Sequence, residues 1–198
     1  MMTDDNAFRL ILIIFGVAFM PFGLYKRIRS HTGEKLDRWQ EGVFILFGLR
    51  LTALVVFAGG IAWMIDPRWM SWSALPIPVW LRWIGLAVAG FGGALLAWTF
   101  HCLGKNLTDT VVTRKEHSLV TTGPYRWVRH PFYTACAIGL VGGSLVTANW
   151  FILLTASIVF AFLVARTSIE EEKLVERFGD EYRDFMKGVG RFLPRFRR

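Results

Sequence analysis

Gly123-Pro124-Tyr125-Arg126-Trp127-Val128-Arg129-His130-Pro131-Phe132-Tyr133 runs straight into an apolar segment that lasts to residue 148. After the single residue Asn149 a second apolar segment continues over 150–164. Five of the eleven quoted residues are Arg, His or Tyr. Ionisable groups at the edge of hydrocarbon are costly, and they sit there more often for function than for packing. A second charged group, Arg166 followed by Glu170, Glu171 and Glu172, leaves the next apolar run. Together they predict a membrane protein with a polar pocket at one face.

Composition agrees. The chain of 198 residues is 54% hydrophobic and 19% charged, with a mean hydropathy of +0.40. A soluble domain of this length needs fewer apolar residues, so the class is all-α integral membrane. A span takes about 20 apolar residues. Segments 7–25, 43–65, 79–100, 131–148 and 150–164 qualify or nearly so, which predicts about five transmembrane helices. The last two are short and read as a tight helical hairpin. The first lacks a small-residue cleavage site and has an acidic flank, so it does not read as a removable signal peptide. One membrane domain over 1–198 is expected, with three N-terminal spans in 1–100 and the polar-pocket residues gathered in 101–194.

The formal charge of +8 is distributed as a topology signal. Lys26, Arg27, Arg29, Lys35 and Arg38 fill the first loop, and Lys105, Arg114, Lys115, Arg126 and Arg129 the third. Arg191, Arg195, Arg197 and Arg198 fill the tail, whereas 66–78 carries one basic residue, Arg68. The positive-inside rule then puts the N-terminus outside and the C-terminus and pocket in the cytoplasm. These cations are expected to meet anionic membrane lipids rather than nucleic acid.

Trp69, Trp72 and Trp80 suit an aromatic belt. Gly85, Gly90, Gly92, Gly93 and Ala94 in the third span, and Gly139, Gly142, Gly143 and Ser144 in the fourth, suit close helix packing in lipid. Arg50 lies about two turns inside the second span, at 1.5 Å per residue. It either snorkels to the headgroups or faces the pocket as a substrate contact. From Ser168 the chain becomes charged, with an apolar stripe of Ile169, Leu174, Val175 and Phe178, resumed after Gly179 by Tyr182, Phe185, Met186 and Val189. This predicts a C-terminal cytoplasmic amphipathic helix with a turn, ended by Pro194.

The loop 101–130 is long for a helix connection, and long loops are often functional. Pro131 suits the first turn of a helix, which puts Arg129 and His130 at its mouth and Tyr133 just inside. Arg166 and Glu170 share a helix face at a spacing of four. Each residue also has a plain explanation: an interfacial histidine, belt tyrosines, a solvated acidic face. Cys102 and Cys136 read as ordinary thiols. The four histidines lack metal-ligand spacing, so no metal is expected. A serine hydrolase is unsupported without Gly-x-Ser-x-Gly.

Leu103-Gly104-Lys105-Asn106, His117-Ser118-Leu119-Val120, Gly123-Pro124-Tyr125-Arg126, Arg129-His130-Pro131-Phe132-Tyr133, Arg166, Glu170-Glu171, Leu174 and Phe178-Gly179-Asp180-Glu181-Tyr182, in that order, resemble the isoprenylcysteine carboxyl methyltransferase family. These are integral membrane enzymes that use S-adenosylmethionine, related to the phospholipid methyltransferases. The resemblance covers about 103–194. It implies cofactor contacts at Thr110, His117, Ser118, Leu119, Val120, Tyr125, His130, Pro131, Phe132, Tyr133 and Glu170. It also implies that Arg166 faces the substrate carboxylate. Ala135 stands where the family often has Gly, which narrows the expected cavity, and Ser168 and Ile169 replace a more acidic run.

A sulfonium, an amino acid end and an adenine suit a pocket with a carboxylate, aromatic faces and backbone donors. A carboxylate acceptor needs no general base. A thiol or amine acceptor needs its proton removed, with Glu171 or His130 as candidates. The reading is therefore a membrane methyltransferase for a lipophilic acceptor arriving from the bilayer, such as an isoprenylcysteine. Alternatives are methylation of a phospholipid amine or small thiol, a sterol-reductase-like enzyme using NADPH, and a non-catalytic scaffold.

Overall fold

A computed structural model describes residues 2–29, 43–104 and 119–195. The described residues form six α-helices: α1 (Met2–Arg29), α2 (Val43–Ile65), α3 (Val79–Leu103), α4 (Pro131–Thr147), α5 (Trp150–Phe178) and α6 (Asp180–Gly188). Among the described residues there is no named strand, only two isolated bridges. Helices α2, α3 and α5 are long and apolar enough to cross a membrane, and α4, at 17 residues, is a shorter apolar helix. Phe44, Leu51, Leu54, Phe57, Phe91 and Leu154 are exposed on them, an apolar surface that suits lipid as the solvent. Trp69, Trp72 and Trp80 are likewise exposed, as a belt requires.

The glycines of α3 and α4 form a seam. A methyl carbon on Gly92 would lie 2.8 Å from the backbone nitrogen of Gly139, and one on Gly85 would lie 2.9 Å from the Gly142 carbonyl. The backbones can approach this closely only because no side chain stands between them. Gly142→Leu should therefore destabilise the bundle by at least the roughly 1–3 kcal/mol of ordinary overpacking. Thermal melting in detergent checks this, and an unchanged melting temperature would contradict the close seam. Ala135 is buried at the same seam, with its carbonyl against Gly92.

At the end of the bundle away from the charged cluster, Asn149 caps α5 by accepting from the Ile152 N–H at 3.1 Å. Its amide donates to the Met70 carbonyl (3.2 Å) and Ser73 hydroxyl (2.8 Å), which ties the α4–α5 hairpin to the 3-10 turn Pro67–Ser73. Arg82 is buried there too. It donates to the Val146 carbonyl at 2.9 Å and pairs with Asp5 of α1 at 2.7 Å.

One sequence expectation is corrected here. The amphipathic segment from Ser168 is not a separate helix, because α5 runs unbroken from Trp150 to Phe178. The charges that begin at Glu170 mark the end of the apolar part. The helix itself has no Gly or Pro to stop it before Gly179, whose φ of +57° favours glycine. The remainder folds back as α6, which ends at Gly188, well before Pro194. Residues 168–178 thus project beyond the apolar span and carry the acidic groups to the mouth of α4.

Candidate active site

Two helix ends meet at the site. His130 is the N-cap of α4, with Pro131 buried at the first helical position and Tyr133 buried one turn in. Glu170 and Glu171 project from the end of α5. The Tyr133 hydroxyl donates to Glu170 Oε2 at 2.9 Å, and His130 Nδ1 lies 3.6 Å from the same oxygen. His130 Nε2 is 3.0 Å from Glu171 Oε1. One imidazole thus stands between two carboxylates, hydrogen-bonded to Glu171 through Nε2, with Nδ1 facing Glu170 at the longer distance.

Aromatic faces surround this group. The rings of Tyr133 and Phe192 lie 5.6 and 5.9 Å from His130. Phe132 stacks on Phe100 of α3 at 5.9 Å and meets Tyr133 edge-on at 5.3 Å. Tyr125 sits in the 3-10 turn Gly123–Arg126. That turn begins at Gly123 with φ +60°, where a side chain would collide with the Cys102 sulfur. Burial, with the nearby Glu170 charge adding to it, pushes the Tyr125 hydroxyl up from its ordinary value.

Glu171 is the most heavily engaged group. Besides His130 it receives Arg129 Nε at 2.9 Å and Arg191 Nη2 at 2.6 Å. Arg129 also donates to the carbonyls of Met186 (3.1 Å) and Val189. Burial disfavours the Glu171 charge, but the hydrogen bonds from His130, Arg191 and Arg129 outweigh it and hold the carboxyl down at about 2. A carboxylate so stabilised is a poor proton acceptor near neutral pH. The expectation that Glu171 takes a proton from an acceptor therefore meets an obstacle in its own ion pairs.

Of the other expected residues, Leu119 and Val120 are half-buried ahead of the 3-10 turn. Thr110, His117 and Ser118 lie outside the described residues. Arg166 stands one turn before Glu170 on the inward stripe of α5, with buried Leu163, Thr167 and Glu171. Arg50 is exposed on α2. Its neighbours Phe44 and Gly48 pack on Phe162, which sets Arg50 deeper along the antiparallel α2–α5 pair than Arg166. That position fits snorkelling better than a pocket contact. Arg191, read from the sequence only as a tail cation, was not anticipated as a partner of Glu171. Among the described residues, no group of three or more His, Cys, Asp or Glu is placed to hold a metal ion.

Residues 83–176 match the model of the isoprenylcysteine carboxyl methyltransferase (ICMT) family, a stretch that contains His130, Tyr133, Arg166, Glu170 and Glu171. This region, just under half of the chain, is similar to that family. The chain is similar to protein-S-isoprenylcysteine O-methyltransferase of Mus musculus, 34% identical over 126 residues, covering 62% of this chain and 44% of that one. The Saccharomyces cerevisiae protein of the same name is 33% identical over 97 residues, covering 48% and 41%. Among solved structures it resembles the eukaryotic intramembrane Ras methyltransferase ICMT, with a TM-score of 0.54 and 31% identity over 58% of this chain and 42% of that one. The chain therefore spans less than half the length of these relatives. With three span-length apolar helices and an ICMT neighbour that is intramembrane, the chain is an integral membrane protein.

Proposed function

We propose that this chain is an S-adenosylmethionine-dependent methyltransferase that acts in the membrane on the carboxylate of a lipophilic acceptor, such as an isoprenylcysteine. The observation that carries this is the Glu170 carboxylate held by the Tyr133 hydroxyl beside His130, inside the family-matched region. The donor set fits the cofactor: a carboxylate for a cationic or amine end, and the faces of Tyr125, His130, Phe132 and Tyr133 for the sulfonium and adenine. The family resemblance adds Thr110, His117, Ser118, Leu119 and Val120 as cofactor contacts. When bound, the cofactor supplies an electrophilic methyl group.

The chain's own residues then position and exclude. Arg166 binds the acceptor carboxylate through its planar fork. The apolar helices keep water out, so that holding the partners together accounts for most of the rate. An acceptor carboxylate is already ionised and needs no base. This favours it over a thiol or phospholipid amine, because Glu171 is occupied as an ion-pair partner. In this proposal the chain crosses the membrane about five times, with its N-terminus outside, its pocket in the cytoplasm, and 101–194 as the catalytic half.

Calorimetry with S-adenosylhomocysteine on detergent-purified protein tests the pocket. Saturable binding to wild type, with about tenfold or greater loss in both Glu170→Ala and Tyr133→Ala, is expected from removing a charged partner or a buried hydroxyl that holds it. No binding to well-folded wild type would favour a scaffold or a reductase.

A further inference from the structure

The site is also held from the C-terminal side. Residues 189–192, just beyond α6, run alongside 128–130, with Val128 and Gly190 forming a parallel bridge. The Arg129 N–H donates to the Gly190 carbonyl at 2.8 Å, and the His130 N–H donates to the Arg191 carbonyl at 3.0 Å. The Thr134 hydroxyl donates to the Phe192 carbonyl at 2.9 Å. From this strap Arg191 Nη2 reaches Glu171 Oε2 at 2.6 Å and Ser168 Oγ at 3.4 Å. The other oxygen of Glu171 meets His130 Nε2. One carboxylate is thus shared between a cation on the strap and the histidine of the candidate pocket.

We propose that Arg191 is a positioning residue of the site: it fixes Glu171, Glu171 fixes the His130 ring against Glu170, and the strap 189–192 thereby sets affinity for the cofactor. The inference rests on reading His130, Tyr133 and Glu170 as a cofactor pocket. Its physical basis is the softness of the groups concerned. The last torsion of His and that of Glu are broad, so neither side chain holds one orientation unless a partner fixes it. Which nitrogen of a histidine is available is likewise set by the bond its other nitrogen makes. Without Arg191, Glu171 keeps Arg129 on the oxygen it already shares with His130, and its second oxygen loses its anchor. Arg191 is at the same time accessible. It borders an open groove of about 570 Å³ lined by Ser168, Glu172, Val175 and Met186, so trimming it leaves no sealed void.

The test compares Arg191→Ala, Arg191→Lys and Arg195→Ala by S-adenosylhomocysteine calorimetry, thermal melting, and ¹⁵N shifts of the histidine rings in labelled protein. Arg195 fastens the strap to the Lys187 carbonyl at 2.9 Å and serves as a strap-only control. Arg191→Ala should weaken binding about tenfold, with Arg191→Lys within about threefold of wild type and Arg195→Ala within about twofold. Melting temperatures of Arg191→Ala and Arg195→Ala should agree with each other. The His130 ring signal should move in Arg191→Ala and return in Arg191→Lys. An unmoved His130 signal, wild-type affinity in Arg191→Ala, no recovery in Arg191→Lys, or equal losses in Arg191→Ala and Arg195→Ala would each overturn the proposal while leaving the pocket intact. Wild-type protein that does not bind S-adenosylhomocysteine would overturn both this inference and the pocket it rests on.

Discussion

Glu171→Leu should lower the stability of the folded protein by about 3–5 kcal/mol, the usual consequence of removing one partner from a buried ion pair. Leu is close to Glu in volume, so loss of the charge rather than a cavity is what the experiment reads. In the variant the Arg129 guanidinium, 11% exposed, keeps the Met186 and Val189 carbonyls among the described residues, and Arg191 keeps the Ser168 hydroxyl and the Phe192 ring, with no carboxylate left for either cation there. Glu171→Gln retains an acceptor oxygen and should fall between Leu and wild type. Acid should act on the same group. Its carboxyl is held at about 2 in the folded protein against an ordinary 4.5, so the stabilisation is fully present above about 4.5. It is lost as pH falls from there through about 2, and Glu171→Gln should flatten that part of the profile. Thermal melts in detergent between pH 7 and pH 3 check both statements. A Glu171→Leu protein that melts with wild type, or a Glu171→Gln protein with an unaltered acid slope, would show that the cluster does not hold α5 to the strap.

What the sequence made legible, and what it hid, follows from the range of each interaction. Pro131, Asn149 and Gly179 act on their own backbone, and they set the helix ends near where their chemistry requires. The glycines of α3 and α4 were readable as packing residues because lipid leaves few other uses for them. The change of composition at Ser168 was read as a helix start. It is a solvent boundary crossed by a continuous helix, since a run of Glu and Lys is a good helix former and nothing there breaks the hydrogen-bond ladder. The pairing of Tyr133 with Glu170 joins residues 37 apart; their polar groups at the edge of apolar runs pointed to one polar pocket, and the family resemblance to their shared role. Arg191 had no such signal. It was one of several tail cations, its ion-pair partner is 20 residues back across the Gly179 turn, and periodicity carries no information through a turn. Arg50 shows the converse, because an arginine in an apolar run attracts attention while its exposed place on α2 needs only a headgroup.

Arg166→Ala should remove most methyl transfer while leaving affinity for S-adenosylhomocysteine close to wild type. The position supports a role towards the acceptor. Arg166 is half-buried on the inward stripe of α5, while Ala165 and Ser168 on either side of it face outward. It lies about 6 Å, four residues at 1.5 Å each, towards the apolar part of the helix from Glu170. Under the proposed function a lipophilic acceptor would reach the site from that direction with its carboxylate leading, and Arg166 would be met before the proposed cofactor groups. Truncating one partner of a buried, hydrogen-bonded charge pair costs about 2–5 kcal/mol, which predicts a fall in kcat/KM of roughly 30-fold to several thousandfold. Arg166→Lys should recover only part of it, because an ammonium supplies charge without the planar fork. Glu170→Ala should show the opposite pattern, with cofactor affinity lost first. The split between the two variants is the sensitive observation: loss of cofactor binding in Arg166→Ala to the same degree as in Glu170→Ala would place Arg166 in the cofactor pocket, and undiminished turnover would remove it from the mechanism.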